Sequence, residues 1–323
     1  MQGQRVLVTG MGGELGSLVA ALLEDESWVG EIAGLDANPP RRRLKRSAFH
    51  LIDPFDNSRV SEIILNFNPH VILHLGVWEP DARLRTRDAR TFSDQFARGI
   101  LEAAKVAPAL QSLVVRSGIE VYGTFGHWPR LPDEKSALDP QSTFGHMLVD
   151  LEKRASELAN TRGIAIATLR FATIIGPHVP SPLGRLLRLP TVPYNPFGNP
   201  QFSVIGDHDA ARAIVTAAAN QCDSIVNISA VGSISVASVA NIGRRLAVPV
   251  IGPAWWVTRA VSGIAGAPVP DHVNELLLHG RGASCGAAAS LLGFTPQFTT
   301  AEIIARLYDW PSIVRITSDR RVA

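Results

Sequence analysis

The sequence predicts an α/β protein, a doubly wound parallel sheet followed by a smaller C-terminal lobe. Three observations carry that expectation. Short apolar runs alternate with longer segments of helical periodicity through the first half of the 323-residue chain. The first run, Val6 to Val8, leads directly into glycines at Gly10, Gly13 and Gly16 and then into an apolar helical segment from Leu15 to Leu23. A second run, Ile32 to Asp36, ends in an acid twenty positions beyond Gly16.

The opening element has a physical reading at each position. Gly10 permits a tight turn, Gly13 lets backbone approach a pyrophosphate, and Gly16 lets the helix pack closely on the sheet. The N–H groups of the helix start, at Glu14 and Leu15, would then face phosphates. Strand, glycines and helix in this order are the context that a bare glycine triplet lacks. Asp36 stands where a carboxylate meets a ribose 2′-hydroxyl, so a dinucleotide is the expected ligand. Arg41, Arg42, Arg43, Lys45 and Arg46 follow, either as solvated surface or as partners for a 2′-phosphate. Asp36 would repel that phosphate, which favours NAD and leaves NADP open.

The elements continue in order. Phe49 to Asp53 reads as a third strand, with Asp53 and Pro54 at the edge where adenine would lie. Val60 to Phe67 has helical periodicity. The strand over 69–76 ends at Leu75 and Gly76, where a small residue leaves room for the cofactor. A helix over 93–107 follows, then a strand from Leu113 to Ser117 running on to Gly123. Residues 124–141 read as loop, and 148–159 as a helix with Asp150, Glu152, Lys153 and Arg154 on its polar side. A further strand spans 164–169. Past Pro177 the prolines multiply, which divides the chain into 1–177 and a mainly substrate-binding lobe over 178–323, with later segments returning to the first part. In that second part 207–220, 236–246 and 300–307 read as helices and 225–229 as a strand.

Composition narrows the class. Hydrophobic content of 46% with 19% charged residues fits a well-buried folded chain. A net charge of +2 gives no electrostatic reason to expect nucleic acid. Cys222 and Cys285 have neither metal-ligand nor redox spacing, so no metal is expected and the thiols read as reduced in a cytoplasmic protein. The first strand begins within six residues, which leaves no room for a signal peptide. The apolar stretch 246–269 is broken by Pro249, Pro253, Arg259 and Pro268, so no membrane span is expected.

Several landmarks line up over nearly the whole chain: Thr9-Gly10, Gly13 and Gly16, then Asp36, Asp53, His74-Leu75-Gly76, Val121-Tyr122-Gly123, Leu169-Arg170, Gly176-Pro177, and Leu292-Gly293-Phe294 with Pro296. This set resembles the extended short-chain dehydrogenase/reductase family, the NAD-dependent sugar epimerases and dehydratases. Within it the chain looks most like the actinobacterial UDP-glucose 4-epimerase-like group, several members of which have lost the usual active-site residues. The resemblance implies a Rossmann domain, a C-terminal lobe for a nucleotide-sugar, and a homodimer formed through the helices near 93–107 and 144–159. It also implies cofactor contacts at Ser117 and substrate contacts at Thr173.

The departures from the family pattern are specific. Its tyrosine acid/base falls on Phe144, the lysine four residues later on Leu148, the serine or threonine on Gly118, and the upstream asparagine near Ser93. Ser117 is one residue short of the hydroxyl position and would point to the opposite face of its strand. Two groups stand as replacement acid/base candidates. Glu120 resembles the catalytic glutamate of the dehydratases, against a reading as a backbone-bonded strand end. His146 is set against a plain surface histidine. His127 lies on a presumptive lid. Asp207-His208-Asp209 reads as a helix N-cap or as a metal or relay group. The arginine that pairs with a pyrophosphate in relatives is missing at Gln201-Phe202, which leaves Arg281 as the phosphate partner. Trp255 and Trp256 would stack on a ring or be buried in the lobe. The expected function is thus an NAD-binding, epimerase/dehydratase-like protein with weak or non-standard catalysis on a nucleotide-sugar-like substrate. The rival is a non-catalytic NAD(P)-binding regulatory or scaffold protein.

Overall fold

The computed structural model describes residues 3–81, 84–124, 131–179, 181–252 and 267–309. His127, Trp255 and Trp256 lie outside the described residues. Strand β1 (Gln4–Thr9) has Val6, Leu7 and Val8 fully buried. Val6 and Val8 pack into one core and Leu7 into the other, on opposite faces of the sheet. A parallel strand covered on both faces reads as a continuous apolar run, which is why its pattern does not alternate. Burying each such side chain stabilises the fold by roughly 1.5–3 kcal/mol.

The main sheet is parallel and seven-stranded. It is completed by β2 (Val29–Asp36), β3 (Ser47–Leu51), β4 (Val71–His74), β5 (Ser112–Gly118), β6 (Ala165–Phe171) and β11 (Ser224–Ile228). Their order across the sheet is β3-β2-β1-β4-β5-β6-β11. The chain starts in the middle, winds to one edge, then crosses back over β1 and winds to the other. That reversal between β1 and β4 is the crevice where ligands bind in such sheets. Helices α1 (Glu14–Leu23), α2 (Asn57–Phe67), α3 (Thr86–Val106), α4 (Thr143–Arg162) and α6 (Asp207–Ala219) cover the faces. The last strand of the sheet therefore comes from residues after Pro177.

Several boundaries differ from the sequence reading. Helix α3 begins at Thr86 rather than 93, and α4 at Thr143, where Ser142 accepts the Gly145 N–H as a cap. The strand expected to run through to Gly123 stops at Gly118, and a 3-10 turn (Ile119–Tyr122) follows. Glu152, read as solvent-facing, is buried and ion-paired with Arg170 (2.7 Å). Ser117 donates to the same Glu152 carboxylate, and Tyr122 accepts from Arg170 and donates to Asn227. This polar chain ties β5, α4, β6 and β11 together beneath the sheet.

The remaining elements are short: β7 (Thr173–Ile175), α5 (Pro182–Leu187), β8 (Thr191–Tyr194), β9 (Gln201–Phe202), β10 (Val204–Gly206), β12 (Ile234–Ser235), α7 (Val236–Ile242) and β13 (Leu246–Pro249). Then come α8 (Asp271–His279), α9 (Gly286–Leu292) and α10 (Thr300–Asp309). The small strands form three two-stranded ladders, β10-β7, β12-β9 and β13-β8. Among the described residues no helix is long and apolar enough to cross a membrane.

Candidate functional site

The turn after β1 is built around close backbone approaches. Gly10 has φ +76°, and a Cβ there would sit 2.7 Å from the Gly76 nitrogen. A Cβ on Gly16 would lie 2.0 Å from the Gly10 carbonyl oxygen, so helix α1 seats directly on the turn. Gly12, not singled out in the sequence, is as tight, with its Cβ position 1.9 Å from the Asn38 carbonyl oxygen. Gly13 is different: the nearest atom to its Cβ position is 3.4 Å away, so the protein's own packing does not require glycine there. Gly13 is also the N-cap of α1 and offers no side-chain cap to the helix N–H groups.

These residues line a cavity of about 500 Å³ at the crevice between β1 and β4. Glu14, Leu15, Asp36, Pro54, Leu75 and Gly76 also line it. Asp36 accepts from the Gly12 N–H through Oδ2 (3.0 Å) and from the Asn38 N–H through Oδ1 (2.9 Å). Burial pushes its carboxyl above the usual range, and the backbone donors only partly offset that. Asp53 is exposed and its Oδ1 caps the Phe55 N–H, so of that pair it is Pro54 that lines the cavity.

The basic run divides. Arg41 lines the cavity, with its Nε directed at the Gly12 carbonyl. Arg42 pairs with Glu14 (2.8 Å), neutralising an acid in the first turn of α1. Arg46 donates to the carbonyls of Leu23, Glu24, Val29 and Gly30, closing the end of α1. Of the five, two therefore have structural or neutralising work and one faces the cavity.

A second, small cavity of about 30 Å³ adjoins the first, sharing Val77, Glu79, Arg116 and Ile174 with it. Here the structure gathers Gly118, Glu120, Phe144, Leu148 and Thr173. A Cβ on Gly118 would lie 2.2 Å from Glu120 Oε2, so the glutamate occupies the space a side chain at 118 would fill. Phe144 and Leu148 are buried. Ser93 is buried as well, and its Oγ accepts the Trp78 N–H (2.9 Å).

Behind this cavity lies a cluster of charges the sequence reading missed. Glu79 Oε1 is 3.0 Å from His272 Nε2, and His272 Nδ1 is 3.7 Å from Asp271 Oδ1. Burial alone would lower the His272 pKa. The Asp271 and Glu79 carboxylates outweigh it and push the pKa up to about 9. Asp271 is held far below the usual carboxylate range: against its burial stand His272 and the Thr143 N–H at the start of α4. Burial lowers Arg116, with Glu79 and Glu120 working the other way. The signal that was available is an arginine at the carboxyl end of an apolar strand, where doubly wound sheets place their sites.

Two expectations are corrected. Arg281 is not free to pair with a phosphate. It is 2% exposed and its donors go to Glu120, Glu275 and the His272 and Gly123 carbonyls. His146 is exposed, with its Nδ1 2.9 Å from the Ser142 carbonyl one turn back. Two helical positions beyond Phe144 place it well round the helix from the small cavity. Ser117 lies at the small cavity, but its hydroxyl is engaged with Glu152, on the opposite side of the strand from Gly118 as alternation requires. Asp207 and Asp209 fall within the first turn of α6, with Gly206 as the N-cap, so neither caps the helix. Among the described residues no group of three or more His, Cys, Asp or Glu could hold a metal. Both cysteines are free thiols.

The comparisons with known proteins agree with this architecture. An uncharacterized protein of Mycobacterium tuberculosis is 27% identical over 332 aligned positions, covering 98% of this chain and 86% of the relative. An uncharacterized protein of Mycobacterium bovis matches equally. In structure the chain is similar to UDP-glucose 4-epimerase from Brucella ovis in complex with NAD, with TM-score 0.71, 20% identity, and 94% and 97% of the two chains covered. It is likewise similar to UDP-glucuronic acid 4-epimerase from Bacillus cereus in complex with NAD, with TM-score 0.70, 18% identity, and 95% and 98% covered. At these identities the likeness is one of fold. The family model for the NAD dependent epimerase/dehydratase family matches residues 6–229, most of the chain, and the protein belongs to that family.

Proposed function

We propose that this protein binds NAD in the glycine-lined cavity and acts by a non-standard route on a nucleotide-sugar-like substrate at the adjoining small cavity. The observation that carries the reading is the continuity of the two cavities, one floored by Gly10, Gly13 and Gly16 and the other holding Glu120 and Thr173. The residues fit the dinucleotide. Gly13 has no packing reason to be glycine, the start of α1 lacks a side-chain cap, and Asp36 stands at the end of β2 against the same cavity. When bound, the nicotinamide supplies a hydride acceptor. The chain's own residues bind and orient it and hold protons beside it. Structural relatives solved with NAD, some of them together with UDP-glucose or UDP-glucuronic acid, support the same assignment.

Phe144 and Leu148 bring neither a hydroxyl nor an ammonium to the small cavity, which is why the chemistry is read as non-standard. The same two residues favour a second reading, in which the protein binds NAD(P) without turnover and signals its occupancy to a partner. A homodimer through α3 and α4 completes the proposal, with light scattering as its test. The primary experiment is mass spectrometry of the nucleotide released when freshly purified protein is denatured, followed by titration with NAD. Near-stoichiometric NAD, or tight binding on titration, is the expected result. No binding up to millimolar NAD would overturn the reading, and NADP in its place would give Arg41 the 2′-phosphate.

A further inference from the structure

We propose that Glu79 is the proton-transferring carboxylate of this site and that His272 is its positioning residue, holding Glu79 from behind. The inference rests on the NAD reading above. Glu79 lines both cavities and its side chain is 22% exposed, so one carboxylate faces the place where the two meet. Its Oε1 is 3.0 Å from His272 Nε2. His272 is almost wholly enclosed, and its ring lies against Phe144 at 4.9 Å between centroids. The aromatic residue that brings no hydroxyl to the cavity thus forms one wall of the imidazole's pocket. Asp271 lies at the other end, with its Oδ2 accepting the Thr143 N–H and its Oδ1 accepting the His272 backbone N–H, 3.7 Å from the ring Nδ1. The imidazole thus sits between two carboxylates, hydrogen-bonded to Glu79 on the cavity side and in charge contact with Asp271 on the side of α4.

The groups facing this arrangement come from every element around it. Arg116 on β5 and Glu120 in the 3-10 turn act on it electrostatically, and Arg281 donates to the His272 carbonyl. Glu275, on α8 with His272, pairs with Arg281. Glu120 is itself occupied by Arg281 (3.3 Å), which leaves Glu79 as the carboxylate whose nearest cation is a titratable one. In the forward step the substrate O–H bond breaks and its proton goes to Glu79. With NAD bound, its nicotinamide would accept the hydride given up by the adjacent carbon, so the two-electron balance is closed by the cofactor and the proton balance by Glu79. In the return direction Glu79 would give the same proton back to the substrate oxygen. Protonated His272 donates its Nε2–H to Glu79 throughout, fixing the orientation of the carboxylate.

The test uses NAD-loaded full-length protein with UDP-glucose and UDP-glucuronic acid as probes, following nicotinamide absorbance in single turnover. E79Q is expected to slow reduction by about 100-fold or more with KM changed little, and E79D to recover part of the rate. H272Q is expected to retain a slowed reaction and to abolish the decline that wild type shows as pH rises past the His272 transition. Imidazole NMR supplies a readout independent of turnover: E79Q should move the His272 transition downward by about a pH unit or more. A rate for E79Q within about threefold of wild type overturns the proposal. So does an unmoved His272 transition, or NAD-bound wild type that reduces no cofactor with either probe. Failure of NAD to bind at all would instead overturn the underlying reading.

Discussion

The environment of His272 makes a quantitative prediction about stability and pH. Its folded-state pKa is raised from 6.5 to about 9, so the folded protein holds this proton more tightly than the unfolded chain. The contribution is fully present below the unfolded value and is lost as pH rises through the folded one. A shift of that size corresponds to roughly 3 kcal/mol, released at about 1.4 kcal/mol per pH unit inside the window. The perturbation is His272→Gln, which leaves Asp271 and Glu79 in place but removes the titrating group. Urea unfolding of both proteins from about pH 6 to about pH 10 gives the difference in stability at each pH. Lysine, tyrosine and cysteine titrations are common to both and cancel. The difference should shrink by roughly 3 kcal/mol across the series. A difference that stays flat with pH would refute the argument, because His272 would then titrate alike in both states. His74 provides the opposite sign. It is fully buried beside Phe96 with burial lowering its pKa to about 4, so its contribution is lost as pH falls from 6.5 toward 4.

Three further outcomes follow from contacts in the structure. Gly16→Ala forces a methyl against the Gly10 carbonyl, a strain of about 1–3 kcal/mol, and should weaken NAD binding about tenfold or more by fluorescence titration. Glu152→Leu leaves Arg170 buried without its ion partner and should cost about 3–5 kcal/mol in urea unfolding. Adding Arg170→Met should restore much of that loss, and no restoration would show that the pair is not the source. Gly118→Ser should destabilise the fold by about 1–3 kcal/mol, because its Cβ meets Glu120 Oε2, and adding Glu120→Ala should relieve most of the cost.

The legible parts of the molecule were those governed by local physics. β1, β4 and β5 are covered on both faces, so each carries a continuous apolar run (Val6–Val8, Val71–Leu73 and Leu113–Val115) that needs no alignment to find. Gly16 is fixed by contact with Gly10 in the same turn, Gly10 carries its own positive φ, and Asp36 stands at the end of its strand. What failed to show was non-local. Glu152 looks polar at its helical position, and only Arg170 on the next strand makes its burial possible. Glu79 and His272 are 193 positions apart, and nothing near either residue announces the other. The ladders of the C-terminal part are two to four residues long, too short for any period to emerge. The strand expected to run to Gly123 contains no breaker after Gly118, so its collapse into a 3-10 turn was invisible.

The residues of the small cavity are fitted to one another rather than independent. Gly118 has no side chain, and the Glu120 carboxyl fills that space. Leu148 approaches the same point, 3.1 Å from the Gly118 Cβ position, and Phe144 packs on His272, which holds Glu79. Each of these residues therefore has a neighbour shaped to it, and residues in contact do not contribute additively. Replacing Phe144 by tyrosine, Leu148 by lysine and Gly118 by serine together would not be accommodated on this backbone. The serine would displace Glu120 from its pair with Arg281, and the lysine would bury an ammonium where Leu148 is 1% exposed. Accommodating those three substitutions requires changing Glu120, Arg281 and His272 as well, so the residues of the small cavity and the charges behind them form one unit.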